Sequence, residues 1–114
     1  MEQERNYETK TLITWLLGDE NTYNDMMNIA KDAIVASLIW GVGGIFADKR
    51  RAVSLIIDHV KSYINDNKEK LEDLYNDMQD HSFDNVDYDD VGNTLFDIRD
   101  KQIPRFVMHD GTKD

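Results

Sequence analysis

The stretch Asp48-Lys-Arg-Arg-Ala-Val-Ser-Leu-Ile-Ile-Asp-His-Val-Lys-Ser-Tyr-Ile-Asn65 decides the fold class. Ala52, Val53, Ile56, Ile57, Val60, Tyr63 and Ile64 recur at steps of one, three and four, which places them on one stripe of an α-helix. Asp48 stands where an N-cap belongs. The same period runs upstream through Tyr23, Met26, Met27, Ala30, Ala33, Ile34 and Leu38, with Asn21 as the expected cap. A first helix is expected over Glu8–Leu17, with Leu12, Trp15 and Leu16 on one side and Gly18 as its stop. Asn65-Asp66-Asn67 forms a break. Leu71, Leu74, Tyr75 and Met78 then mark a fourth helix. His81 to Val86 reads as a loop, because Ser82, Asp84 and Asn85 compete with the helical backbone. Asp87 caps a fifth helix, with Asp90 in a capping-box-like position and Tyr88, Val91, Leu95, Ile98 and Gln102 aligned; Pro104 closes it. The expectation is an all-α protein, a compact bundle of four to five helices in a single domain over residues 1–104. Residues 105–114 are expected to form a C-terminal tail, from which Phe106 and Val107 dock back on the core. The only strand candidate is short, Ile103 to Met108.

Between Asp32 and Asp48 lie fifteen uncharged residues, AIVASLIWGVGGIFA. A membrane-crossing helix needs about twenty, so this tract reads as a buried helix end that Gly41, Gly43 and Gly44 turn into a tight loop. No phosphate-cradling role is expected: no strand precedes the glycines and the lysine of a P-loop is missing. The charged opening, Met1 to Lys10, has no signal-peptide core. With no cysteine in 114 residues, disulfides and thiolate metal sites are excluded. These features together suit a reducing cytoplasm and give no reason to expect membrane binding.

Charge is unevenly distributed. From Asp66 to Asp114 there are fourteen Asp and Glu against six Lys and Arg, whereas Met1 to Asn65 has nine against seven. Asp66, Glu69, Asp73, Asp77, Asp80, Asp84 and Asp87 follow one another at steps of three or four, which aligns carboxylates along a helix. Carboxylates at i and i+4 are about 6 Å apart, a spacing close to that of phosphates along a DNA strand. The partner-binding residues expected on this basis are Glu69, Asp73, Asp77, Asp80, Asp84, Asp87, Asp89 and Asp90. The partner they suit is a basic nucleic-acid-binding protein or nuclease complex, with no direct binding of nucleic acid. The competing role for each is simply a solvated helix face.

Catalytic chemistry finds little support. His59, His81 and His109 share no spacing and read as surface residues, so no zinc site is expected. A calcium loop starting at Asp87 would need oxygen ligands at Val91 and Ile98. The acidic pairs all lie in polar surroundings, which gives no basis for unequal pKa values. No catalytic residue, metal or cofactor is expected, and the protein reads as a non-enzyme. Lys49-Arg50-Arg51 is too short a basic run to imply nucleic-acid binding; Lys49 could pair with the acidic half of this chain or of a second copy.

Asn6-Tyr7-Glu8-Thr9, followed by Leu12, Trp15, Asp19-Glu20 and Tyr23, resembles the opening of a small, largely uncharacterised family common on phages and plasmids. Its members typically begin N-Y/R-E-T-W, carry a second tryptophan, then an N-D or D-E pair and a tyrosine, and are acidic and mostly helical. Lys10 replaces the first tryptophan here. Val86 to Asp97 is a weaker echo of the family's acidic closing helix. The resemblance implies a mobile-element origin and a counter-defence role of the anti-CRISPR or anti-restriction kind. The motif also has a purely structural reading, with Asn6 or Thr9 as a cap and Trp15 meeting Tyr23 in the core. The alternative function is a non-enzymatic interaction or regulatory protein acting as a helical homodimer, because Met26, Met27, Trp40, Ile45 and Phe46 offer more apolar surface than a small bundle easily hides.

Overall fold

Four short polar side chains set the helix starts. Asn6 Oδ1 accepts from the Thr9 amide at 2.8 Å and opens α1, Tyr7–Gly18. Asp19 Oδ2 accepts from the Thr22 amide at 3.0 Å and from its hydroxyl at 3.1 Å, opening α2, Glu20–Ala36. Asp48 Oδ1 takes the Arg51 amide at 3.3 Å and opens α3, Lys49–Asp66. Asp87 Oδ1 takes the Asp90 amide at 3.1 Å at the start of α5, Tyr88–Gln102. Each bond satisfies an amide that has no partner within its helix. The cap of α2 is therefore Asp19 rather than the expected Asn21, and a single extended residue joins α1 to α2. The remaining helices are short: α4, Glu72–Asp77, and a single 3₁₀ turn, Phe83–Asn85. The computed structural model describes residues 5–41 and 43–102. The expected tail, the closing Pro104, the strand candidate at 103–108 and His109 lie outside the described residues.

The core is one apolar cluster to which every α-helix contributes. Leu12 and Leu16 of α1, Met26 and Ile34 of α2, Ile56 and Val60 of α3, Leu74 of α4, and Val91 and Leu95 of α5 are all fully buried. α3 packs against α2 and α5, and α1 closes the other side over α2. Gly92 makes the α3–α5 approach close: a Cβ built there would stand 2.9 Å from both Ile57 Cγ1 and Val53 Cγ1. Met26 and Met27 are in this core, so they add nothing to an exposed apolar surface. Trp15 and Tyr23 are partly buried, but they reach different elements instead of pairing. The Trp15 indole N–H donates to Asp77 Oδ2 at 2.7 Å, and the Tyr23 hydroxyl accepts from Gln102 at 2.7 Å.

The molecule is mostly helical, with 73% of the described residues in helix, but it is not purely all-α. α2 ends at Ala36, and the expected helix end and loop is an antiparallel hairpin, β1 Leu38–Gly41 and β2 Gly44–Ala47. The register pairs Leu38 with Ala47, Ile39 with Phe46, Trp40 with Ile45 and Gly41 with Gly44. Leu-Ile-Trp and Ile-Phe favour extended backbone. Gly43 and Gly44 supply the positive φ values, 99° and 125°, that reverse the chain. At the base, the Asp48 amide donates to the Ser37 carbonyl at 2.8 Å, and the buried Ser37 hydroxyl donates to the Ala33 carbonyl at 2.7 Å.

Candidate partner-binding surface

Residues 66–90 hold ten carboxylates and only two lysines. The backbone distributes them over several elements. Asn67 to Leu71 form turns between α3 and α4, so Glu69 does not continue a helical row with Asp73. Asp73 and Asp77 lie on α4, Asp80 in the turn after it and Asp84 in the 3₁₀ turn, while Asp87, Asp89 and Asp90 cap or begin α5. The row is thus interrupted twice, once more than the His81–Val86 break expected from sequence. The reason is local: Asn67 turns its amide side chain onto the Tyr63 carbonyl at 2.8 Å and ends α3.

The eight carboxylates fall into two groups. Three serve the fold. Asp77 holds the Trp15 indole, Asp87 caps α5, and Asp90 forms a two-point contact with Arg5 at 2.7 and 3.1 Å. The Arg5 guanidinium keeps the Asp90 carboxyl below its usual pKa. Glu69, Asp73, Asp80 and Asp89 are exposed and make no side-chain hydrogen bond or ion pair with a described residue; Asp84 is exposed as well. Asp84 also acts through its charge on Tyr88, whose hydroxyl pKa is raised first by burial and then by that carboxylate.

Of the nearby cations, Lys68 is exposed within the segment and Arg50 lines one groove with Asp89, while two others are engaged elsewhere in the chain. Lys70 lies within the acidic segment, but its ammonium sits 2.7 Å from Asp25 Oδ2 on α2, where the Tyr63 hydroxyl also donates at 2.6 Å. That cluster lowers the Asp25 pKa, through Lys70 first and Tyr63 second, and raises that of Lys70. Lys49 pairs with Asp97 at 3.2 Å within the chain. His81, read as a plain surface residue, stacks on Tyr7 with 4.3 Å between ring centroids and lies 2.8 Å from Glu8 Oε2. The Glu8 pKa is lowered, chiefly by that contact.

Sequence periodicity could not find Arg5–Asp90, Lys70–Asp25 or His81–Glu8, because the partners are 85, 45 and 73 residues apart. It also missed an open groove of about 540 Å³ between α3 and α5, lined by Lys49, Arg50, Ser54, Asp89 and Asn93 over Val53 and Ile57. Among the described residues, no group of three or more His, Asp or Glu side chains is placed to hold a metal ion. No helix among them is long and apolar enough to cross a membrane. Compared with models of known families, with curated proteins and with solved structures, the chain matches none.

Proposed function

We propose that the protein is a counter-defence inhibitor of phage or plasmid origin that acts by binding and not by catalysis. Its partner is a basic, nucleic-acid-binding host complex, a CRISPR or restriction nuclease, whose cationic groove the acidic segment occupies in place of DNA. The observation that carries this reading is the set of exposed carboxylates Glu69, Asp73, Asp80 and Asp89, which have no side-chain partner among the described residues, beside a Lys70 drawn away to Asp25. Carboxylates needed only for the fold would be paired or capping, as Asp77, Asp87 and Asp90 are. Unpaired acids packed into one segment repel each other, and a cationic partner removes that repulsion. The N-terminal motif supports the mobile-element origin.

The test is DNA cleavage by CRISPR and restriction nucleases with and without the protein. Inhibition is expected to weaken with added DNA and with salt. Reversing Glu69, Asp73, Asp80 and Asp89 to Lys should abolish it. Asp77 is left intact, since its loss would disturb Trp15. Inhibition that survives the fourfold reversal overturns the acidic-surface mechanism, and the absence of inhibition across both nuclease classes overturns the assignment.

A further inference from the structure

The hairpin Leu38–Ala47 is built unlike the rest of the surface. Its cross-strand pairs put Leu38, Trp40, Ile45 and Ala47 on one face and Ile39 and Phe46 on the other. Both faces are therefore apolar, whereas a strand that meets water on one side carries polar residues there. Trp40 is 83% exposed, Phe46 46%, Ile39 41% and Leu38 38%, and Val35 at the end of α2 adds 58%. Among the described residues each strand has one neighbour, so each also presents a backbone edge that none of them pairs. A lone two-stranded hairpin is marginal in water.

We infer that this hairpin is the contact of a symmetric homodimer, in which the hairpins of two copies pack on each other about a two-fold axis. The inference is independent of the acidic-surface reading. Two quantities select a second copy as the occupant. The first is charge. Each copy carries a net charge of −10, yet no charged residue stands between Asp32 and Asp48. Contact through this tract brings two acidic molecules together where neither presents a carboxylate, and Lys49, Arg50 and Arg51 follow directly at its base. An anionic membrane has no such neutral face to offer. The second is area. Aromatic side chains bury roughly 150–250 Å² when fully covered, so the exposed parts of Trp40 and Phe46 amount to on the order of 300 Å². With the aliphatic side chains and strand backbone of both copies, the total approaches the roughly 1,000 Å² of a specific interface. Self-pairing also closes the assembly at two, since an isologous contact uses the same patch on both sides.

Sedimentation velocity on the whole protein, from low to high micromolar concentration, tests the inference. A monomer–dimer equilibrium is expected, with Trp40 emission shifting to the blue as the dimer forms; Trp15 contributes a background independent of concentration. Added salt should tighten the dimer, because it screens repulsion between like-charged copies. Salt has the opposite effect on binding to a cationic partner, so the two readings fail separately. Trp40→Glu should weaken the dimer roughly thirtyfold or more, and Phe46→Glu should act in the same direction, with helical circular dichroism unchanged in both. The inference is overturned by a strict monomer throughout, by a dimer that both variants leave intact, by open-ended aggregates, or by a blue shift seen only with vesicles of anionic lipid.

Discussion

Asp73 and Asp77 are a turn apart on α4, both exposed, and chemically identical, yet they do different work. Asp77 accepts the Trp15 indole N–H and ties α4 to α1; Asp73 has no side-chain partner among the described residues. Asp77→Ala is expected to lower stability by about 1 kcal/mol, the scale of one hydrogen bond. Asp73→Ala should stay within about 0.5 kcal/mol. Urea unfolding of the two variants checks this, and equal losses would refute the division. Acid behaviour also belongs to single residues. Glu8, Asp25 and Asp90 have folded-state pKa values below their ordinary ones, owing to His81, Lys70 and Arg5 respectively. A depressed carboxylate contributes stability above its unfolded pKa and loses it as pH falls through the folded value. The urea midpoint should therefore drop as pH falls below about 4. Asp25→Asn should flatten that drop, because the substituted residue no longer titrates. An unchanged slope would show that the Lys70–Tyr63–Asp25 cluster does not form in solution.

At the scale of elements, two glycines give opposite expectations. Gly92 sits where α5 meets α3, and a methyl there would collide with Val53 and Ile57. Gly92→Ala should cost about 1–3 kcal/mol through overpacking. Gly18 ends α1 with nothing within 4 Å of its missing Cβ, so Gly18→Ala should stabilise by about 0.4–1 kcal/mol. Thermal melts of the pair test whether α3 and α5 pack as described, and a neutral Gly92→Ala would not fit this packing. The major helices were legible in the sequence because each combines a capping side chain with an apolar stripe. Asp48 followed by Ala52, Val53, Ile56 and Val60 is the clearest case. The hairpin was not legible in the same way. Ala33 to Ala47 contains no charge to mark an inside and an outside, and a continuous apolar run fits a buried helix end as well as a strand. The local signs of a hairpin are the turn glycines and the β-branched and aromatic residues on both sides of them. The acidic residues were legible as a set. Their division into structural and unpaired members was not, because it depends on Arg5, Trp15 and Asp25, residues far away in sequence.

At the scale of the whole molecule, the acidic segment opposes the fold that carries it. Ten carboxylates within residues 66–90 of a chain with net charge −10 repel one another in the folded state more than in an extended chain. Only some are offset: Arg5 neutralises Asp90, whereas Lys70 is engaged with Asp25. Removing the unpaired charges should therefore strengthen the protein. The variant combining Glu69→Gln, Asp73→Asn, Asp80→Asn and Asp89→Asn keeps the size and polarity of each side chain and deletes four charges. It is expected to gain about 0.5–2 kcal/mol over the natural sequence at low ionic strength. That gain should shrink as salt is raised, because the Debye length falls to about 8 Å near physiological ionic strength. Urea unfolding at low and at moderate salt provides both readings. A variant less stable than the natural protein would mean that these four carboxylates hold the fold together, and an acidic surface kept for a partner would lose its main support. A variant that is more stable but no longer inhibits a nuclease would separate stability from binding in the same four residues, as expected of charges retained against the interest of the fold.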